Sequence, residues 1–199
     1  WSPCILSSFG GHSAEGPSCY CPNLVIEIDS IAELQMIGND PAYPLSEAYI
    51  LTQDIDASET MAWNDGAGFA PIASANPNRY FRGCFYGKGH KISNLFINRP
   101  DEMNVGLFGH VKNGAVHNLG IINSQISGGT DSCGILAGKS TTSNIYSCYS
   151  TGAVSGDCTA GGLVGRSEKI EMLGCWSNTA TRSILAGGLI GIEIGRAHV

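Results

Sequence analysis

Three groups of side chains in this 199-residue chain could carry chemistry. Asp54 and Asp56 flank Ile55, and alternate residues of a strand share a face, so the two carboxylates would stand about 6.6 Å apart. That separation is near the range for the acid and base of an inverting glycosidase. With Asp65 the same pair would offer two or three oxygens to calcium, a cation that takes roughly six to eight. The plainer reading is that these carboxylates accept backbone hydrogen bonds at turns. His90, in Gly89-His90-Lys91, has no nucleophile or paired carboxylate placed beside it by sequence, so hydrogen bonding within a corner is its expected role. The second group is Cys148 with Cys175. The third is aromatic: Tyr149 and Trp176, each one residue after those cysteines, with Phe96 upstream.

The elements that position these groups repeat. Gly106-Leu107-Phe108-Gly109, Ile135-Leu136-Ala137-Gly138, Gly162-Leu163-Val164-Gly165 and Gly188-Leu189-Ile190-Gly191 close at spacings of 29, 27 and 26 residues. Seven residues past each closing glycine come Val116, Ile145 and Met172, and ten past come Leu119, Cys148 and Cys175. Both columns are apolar. The column at sixteen (Gln125, Val154, Thr181) is not. Ile92, Asn94, Leu95 and Ile97 reproduce Val116, Asn118, Leu119 and Ile121 at a spacing of 24.

Short apolar strands between Gly, Ser and Asn turns, without helical periodicity, predict one solenoid coil per repeat. A propeller blade would need about 40–45 residues. The expected fold is all-β, a right-handed parallel β-helix. Asn94 and Asn118 are expected at left-handed turns, one above the other. Leu24 to Ile28 and Tyr49 to Ile55 read as strands of the first coils. Between them Ser30-Ile31-Ala32-Glu33 is a capping-box pattern before Leu34, Met36 and Ile37, stopped by Gly38, so a short N-terminal helix is expected to cover the open end of the solenoid.

In that frame Cys148 and Cys175 point inward on adjacent coils. In-register parallel strands aim their Cβ atoms alongside each other, which disfavours a disulfide and favours free thiols behaving as small hydrophobes. The residues after them point outward, making Tyr149 and Trp176, with Phe96 as the matching residue of the earlier coil, a candidate exposed strip for a sugar ring or a partner surface. Cover by a neighbouring loop or domain is the alternative.

Composition fits an extended scaffold. Glycine numbers 27, charged residues are 14%, and the formal net charge is −6 with no basic cluster, which excludes a nucleic-acid surface. No apolar run approaches the roughly 20 residues of a membrane helix. No His-Glu-x-x-His, Gly-x-Ser-x-Gly, phosphate-loop or dinucleotide motif occurs, so no enzymatic activity and no cofactor are expected. Residues 1–23, rich in Gly, Ser, Pro and Cys, read as a linker or the tail of a preceding module; Cys4, Cys19 and Cys21 could supply one disulfide there if the protein is exported. Ile194-Gly195-Arg196-Ala197-His198-Val199 matches the translation of ATC GGA AGA GCA CAC GTC, the start of a widely used sequencing adapter. Residues 194–199 therefore read as adapter, with the natural chain expected to continue past residue 193.

Val105-Gly106-Leu107-Phe108-Gly109, Gly161-Gly162-Leu163-Val164-Gly165 and Gly187-Gly188-Leu189-Ile190-Gly191 resemble the GLUG motif of bacterial surface and secreted β-helical proteins. Leu51-Thr52-Gln53-Asp54-Ile55-Asp56, Phe69-Ala70-Pro71-Ile72, Phe81-Arg82-Gly83 and Gly87-Lys88-Gly89-His90 resemble the segment that precedes such repeats. Ala73 and Tyr86 depart from it, as does the wider Gly134 to Gly138 unit. The resemblance covers residues 24–193. It implies an extracellular or cell-surface scaffold binding a glycan or a host or cell-surface protein, or an accessory region of a secreted peptidase or polysaccharide-degrading enzyme. In the immunoglobulin A-specific metallopeptidases that carry such a region, it is not the catalytic part.

Overall fold

Glycine strings at a near-constant spacing set the chain into stacked coils. The structure, a computed structural model, describes residues 24–74 and 78–194. The strands form six-, eight- and four-stranded sheets along a β-solenoid, and every ladder between them is parallel. Three coils carry the regular pattern. The first runs through Phe108–Lys112, Ala115–His117 and Gly120–Gly128; the second through Ala137–Thr141, Asn144–Tyr146 and Tyr149–Gly161; the third through Val164–Glu168, Glu171–Leu173 and Trp176–Gly187. Ile190–Ile194 adds the fourth strand of the smallest sheet. The reading of residues 1–23, with Cys4, Cys19 and Cys21, and the adapter reading apart from Ile194 lie outside the described residues.

The apolar columns are the inward rows. Val116, Ile145 and Met172 pair in register and are buried. Leu119 and Cys148 are buried above one another, whereas Cys175, on the last full coil, is half-buried. The column at sixteen is broken by an irregularity between Ile121 and Ser124, which moves Val154 opposite Ile126 instead of Gln125. Ile126 and Val154 are both buried, so the inward row exists one residue away from its place in the sequence count.

Two corners are held by left-handed residues in vertical ladders. Asn113, Thr142 and Lys169 precede the six-stranded sheet with φ of 55°, 47° and 51°; Asn118, Ser147 and Gly174 follow it with φ of 50°, 52° and 64°. Asn94 is also left-handed (φ 61°), but it does not stack on Asn118. Its N–H donates to Ile122 O, and Ile92 pairs with Ile121. The 24-residue similarity joins two different corners of the coil, because a strand followed by a left-handed residue and a leucine occurs at both.

The closing glycines have a steric reason. A Cβ at Gly138 would stand 2.5 Å from Val105 N, and one at Gly165 the same distance from Cys133 N. Backbone meets backbone across the coil at these points, leaving no room for a side chain. Nearer the N-terminus the coil is filled instead by rings. Phe81 and Phe108 lie with centroids 4.9 Å apart, and Phe85 meets Phe108 edge-on at 5.6 Å.

The first described strand, Val25–Ile28, is followed by the helix Ile31–Met36. Ser30 Oγ accepts from Glu33 N–H, Glu33 Oε2 accepts from Asp29 N–H, and Ile31 and Leu34 are buried. Tyr49 to Ile55 is not one strand. Ala48–Leu51 lies in the six-stranded sheet and Ile55–Asp56 in the eight-stranded one, with the corner at Thr52 to Asp54 between them.

Candidate functional site

The outward row of the eight-stranded sheet runs Lys91, Gly120, Tyr149, Trp176 in register. Cys148 and Ser150, on either side of Tyr149, are buried, so alternation turns the tyrosine out. Its ring and that of Trp176 stack with centroids 4.8 Å apart and planes 9° from parallel. The other side of the tyrosine is closed as well: a Cβ on Gly120 would be 2.3 Å from Tyr149 Cζ. Tyr149 thus lies between glycine backbone and indole. Trp176, 51% exposed, meets no ring other than Tyr149 among the described residues. Trp176 is exposed and Tyr149 half-buried, and aromatic–sugar contact needs an accessible ring face.

Phe96 does not belong to this row. It pairs with Gln125 and is half-buried beneath the Gly68 loop, where its carbonyl accepts from Phe69 N–H at 3.0 Å. The misplacement has the same origin as that of Asn94.

Asp54 and Asp56 each keep their own partners. Asp54 Oδ1 accepts from Lys91 N–H at 3.1 Å and lies 3.3 Å from His90 Nδ1, while Oδ2 meets Lys91 Nζ at 3.1 Å. Asp56 Oδ1 accepts from Asn94 Nδ2 at 2.9 Å and from Ser58 N–H at 3.0 Å. Hydrogen bonds from Lys91, chiefly its side chain, hold the Asp54 carboxyl below its ordinary pKa, and those from Asn94 and then Ser58 do the same for Asp56. Asp65 sits at a left-handed position (φ 54°) in the turn Asn64–Gly66. Among the described residues no three His, Cys, Asp or Glu side chains are grouped to hold a metal. His90 closes its own corner, its N–H donating to Gly87 O.

Other features escaped the sequence reading. Tyr86, His117 and Tyr146 form an aromatic row on the six-stranded sheet, with centroid separations of 5.2 and 5.1 Å. Burial pushes the His117 pKa down to about 4. His110, edge-on to Tyr80 and 3.1 Å from Thr141 Oγ1, is also lowered to about 4, by burial and then by Lys139 and Lys112. The first row was visible as the column one residue past Val116 and Ile145. Cys133 and Cys158 are joined by a disulfide across 25 residues, and Cys84 is disulfide-bonded too. Cys133 and Cys158 share no repeat column: Cys133 is in register with Ala160. An open groove of about 380 Å³ is lined by Gln35, Asn39, Trp63, Asn64 and Ala70, with the Gln35 amide spent on both backbone groups of Ala70.

No family model matches the chain. Halomucin of Haloquadratum walsbyi is 42% identical over 156 residues, covering 76% of this chain and 2% of its own length. A protein described as a Gly-rich membrane protein from Evansella cellulosilytica is 39% identical over 105 residues, covering 50% of this chain and 11% of its own length. The chain therefore spans a small part of either relative. A crystal structure of a protein described as a candidate immunoglobulin A1 protease from Bacteroides ovatus superposes with a TM-score of 0.66 at 21% identity, over 92% of this chain and 56% of that one. What these two chains share at that identity is the β-solenoid.

Proposed function

We propose that residues 24–193 form a non-enzymatic, right-handed β-helical scaffold of the GLUG type within a larger exported protein, and that it binds a glycan or a cell-surface protein through Trp176. The stacked Tyr149–Trp176 pair carries the reading, because it sets two rings side by side on the outward row of a sheet. Handedness follows from the near-universal right-handed crossover between parallel strands. The helix Ile31–Met36 closes the first coil, whose edge would otherwise invite pairing. An extracellular location fits the disulfides, which persist in oxidising compartments, and the halomucin relative. The calcium expectation at Asp54, Asp56 and Asp65 is left out of the proposal, because the first two carboxylates are held by Lys91, Asn94 and Ser58 and the three are not grouped.

Binding to a glycan array decides the main reading. Trp176→Ala is expected to abolish the signal and Tyr149→Phe to retain it, since the phenol ring supports the indole by its face. Signal unchanged in Trp176→Ala overturns the assignment. The solenoid shared with the Bacteroides ovatus protein favours a second reading, an accessory region of a secreted peptidase or polysaccharide-degrading enzyme. A catalytic motif elsewhere in the same full-length gene product would support it.

A further inference from the structure

The chain holds two cysteine pairs on adjacent coils and treats them differently. Cys133 and Cys158 are oxidised; Cys148 and Cys175 are free thiols. Register separates them. Cys158 lies in the irregular stretch between Gly156 and Thr159, where the ladder shifts, and is offset from Cys133, which pairs with Ala160. Cys148 and Cys175 immediately precede the paired Tyr149 and Trp176, and Trp176 N–H donates to Cys148 O at 3.2 Å. They are in-register neighbours.

In-register strands hold like side chains about 4.7–4.9 Å apart, wider than the Cβ separation of about 3.8 Å that a disulfide prefers. A metal–thiolate bond of about 2.3 Å, the zinc value, makes a linear sulfur–metal–sulfur bridge about 4.6 Å long. That length matches the coil spacing. Both sulfurs lean the same way, the Cys148 thiol donating to Val116 O and the Cys175 thiol to Ile145 O, and Cys148 N–H lies 3.5 Å from Cys175 Sγ. Cys148 is buried and Cys175 half-buried.

We propose that Cys148 and Cys175 form a two-coordinate site for a soft, closed-shell monovalent cation, of which Cu(I) is the biological example. Thiolates select such ions. A four-ligand zinc site is not available here, since no group of three ligating side chains occurs among the described residues. Binding involves no electron transfer: two thiols and one cation give a dithiolate complex and release two protons to solvent. Both ligands bind as thiolates, so protons compete with the ion for them. Affinity therefore rises with pH.

Silver(I), a redox-inert probe, tests the site on the chain with its disulfides intact. Native mass spectrometry is expected to show one tightly bound ion, with two protons released, and X-ray absorption to show two sulfurs in line. Cys148→Ser and Cys175→Ser should each weaken binding roughly 100-fold, as loss of one arm of a chelate does. Independent binding at each thiol, with each variant keeping half of it, overturns the proposal. So does a Cys148–Cys175 disulfide mapped in protein isolated without reductant. Should a variant fail to fold, absorption spectra of the unaltered chain decide, and a single sulfur at the metal ends the idea.

Discussion

The two ends of the solenoid solve the same packing problem with different materials. Before residue 120 the interior is filled by rings, with Tyr49, Phe69, Phe81, Phe85 and Phe108 fully buried, and Thr60 is the one buried polar residue among those described. Beyond it, Ser124, Ser132, Ser140, Ser143, Ser150 and Ser167 are buried, and no aromatic ring among the described residues is. A coil can be filled by rings or by small side chains, and neighbouring coils need only agree in strand register to stack. Repetition here conserves the corners more strictly than the filling.

Four substitutions and one titration test that contrast. Phe85→Ala should be the most damaging, because it leaves a ring-sized cavity beside Phe108 in the fully buried interior; a loss of about 3–5 kcal/mol in urea unfolding is expected. A loss below about 1 kcal/mol would show that the aromatic section collapses as readily as the thin one. Gly165→Ala should cost about 3 kcal/mol, since its Cβ would meet Cys133 backbone at 2.5 Å. Gly188→Ala, with nothing within 4 Å of the new methyl, should stay within about 0.5 kcal/mol. Equal effects at Gly165 and Gly188 would mean that backbone contact does not set the width of the coil.

Ser167→Val should act in the opposite direction. Ser167 pairs with Ser140, which pairs with Val111, and the buried Ser167 hydroxyl has no hydrogen-bond partner. Replacing it by the residue of the first coil should raise stability by about 1 kcal/mol, read as a higher thermal midpoint. A fall would mean that the hydroxyl row is required as a unit.

The titration reads the two buried imidazoles. His110 and His117 have folded pKa values of about 4, below the unfolded value near 6.5, so the unfolded chain takes up protons first. Stability is then full above about pH 6.5, declines toward pH 4 and levels below it. Thermal midpoints between pH 8 and 4 should show this slope, and a His110→Gln, His117→Gln double variant should flatten it. The lowered carboxyls of Asp54 and Asp56 act in a lower window, their contribution fading as pH falls through their folded pKa values.

Periodicity made the regular coils legible because burial recurs there at fixed offsets: Val116, Ile145 and Met172 were found by counting. Counting failed where the chain changes its count. The irregularity after Ile121 displaced Ile126 from its column, the two Asn-Leu corners placed Phe96 in the wrong row, and the offset of Cys133 from Cys158 hid a disulfide from a search by columns. At the candidate site the outward direction of Tyr149 and Trp176 followed from alternation. That the tyrosine lies between Gly120 and the indole depended on contacts between coils that no single repeat contains.

The Cys133–Cys158 link also has a mechanical consequence. Hydrogen bonds between coils run along the solenoid axis, so tension on the chain ends would peel the coils one after another. The bonded cysteines are 25 positions apart, and the stretch between them cannot join that extension, withholding about 85–90 Å of contour length at roughly 3.5 Å per residue. A tether built from such segments would lengthen in steps shorter than its coils contain, and reducing the link would restore the missing length to a single step.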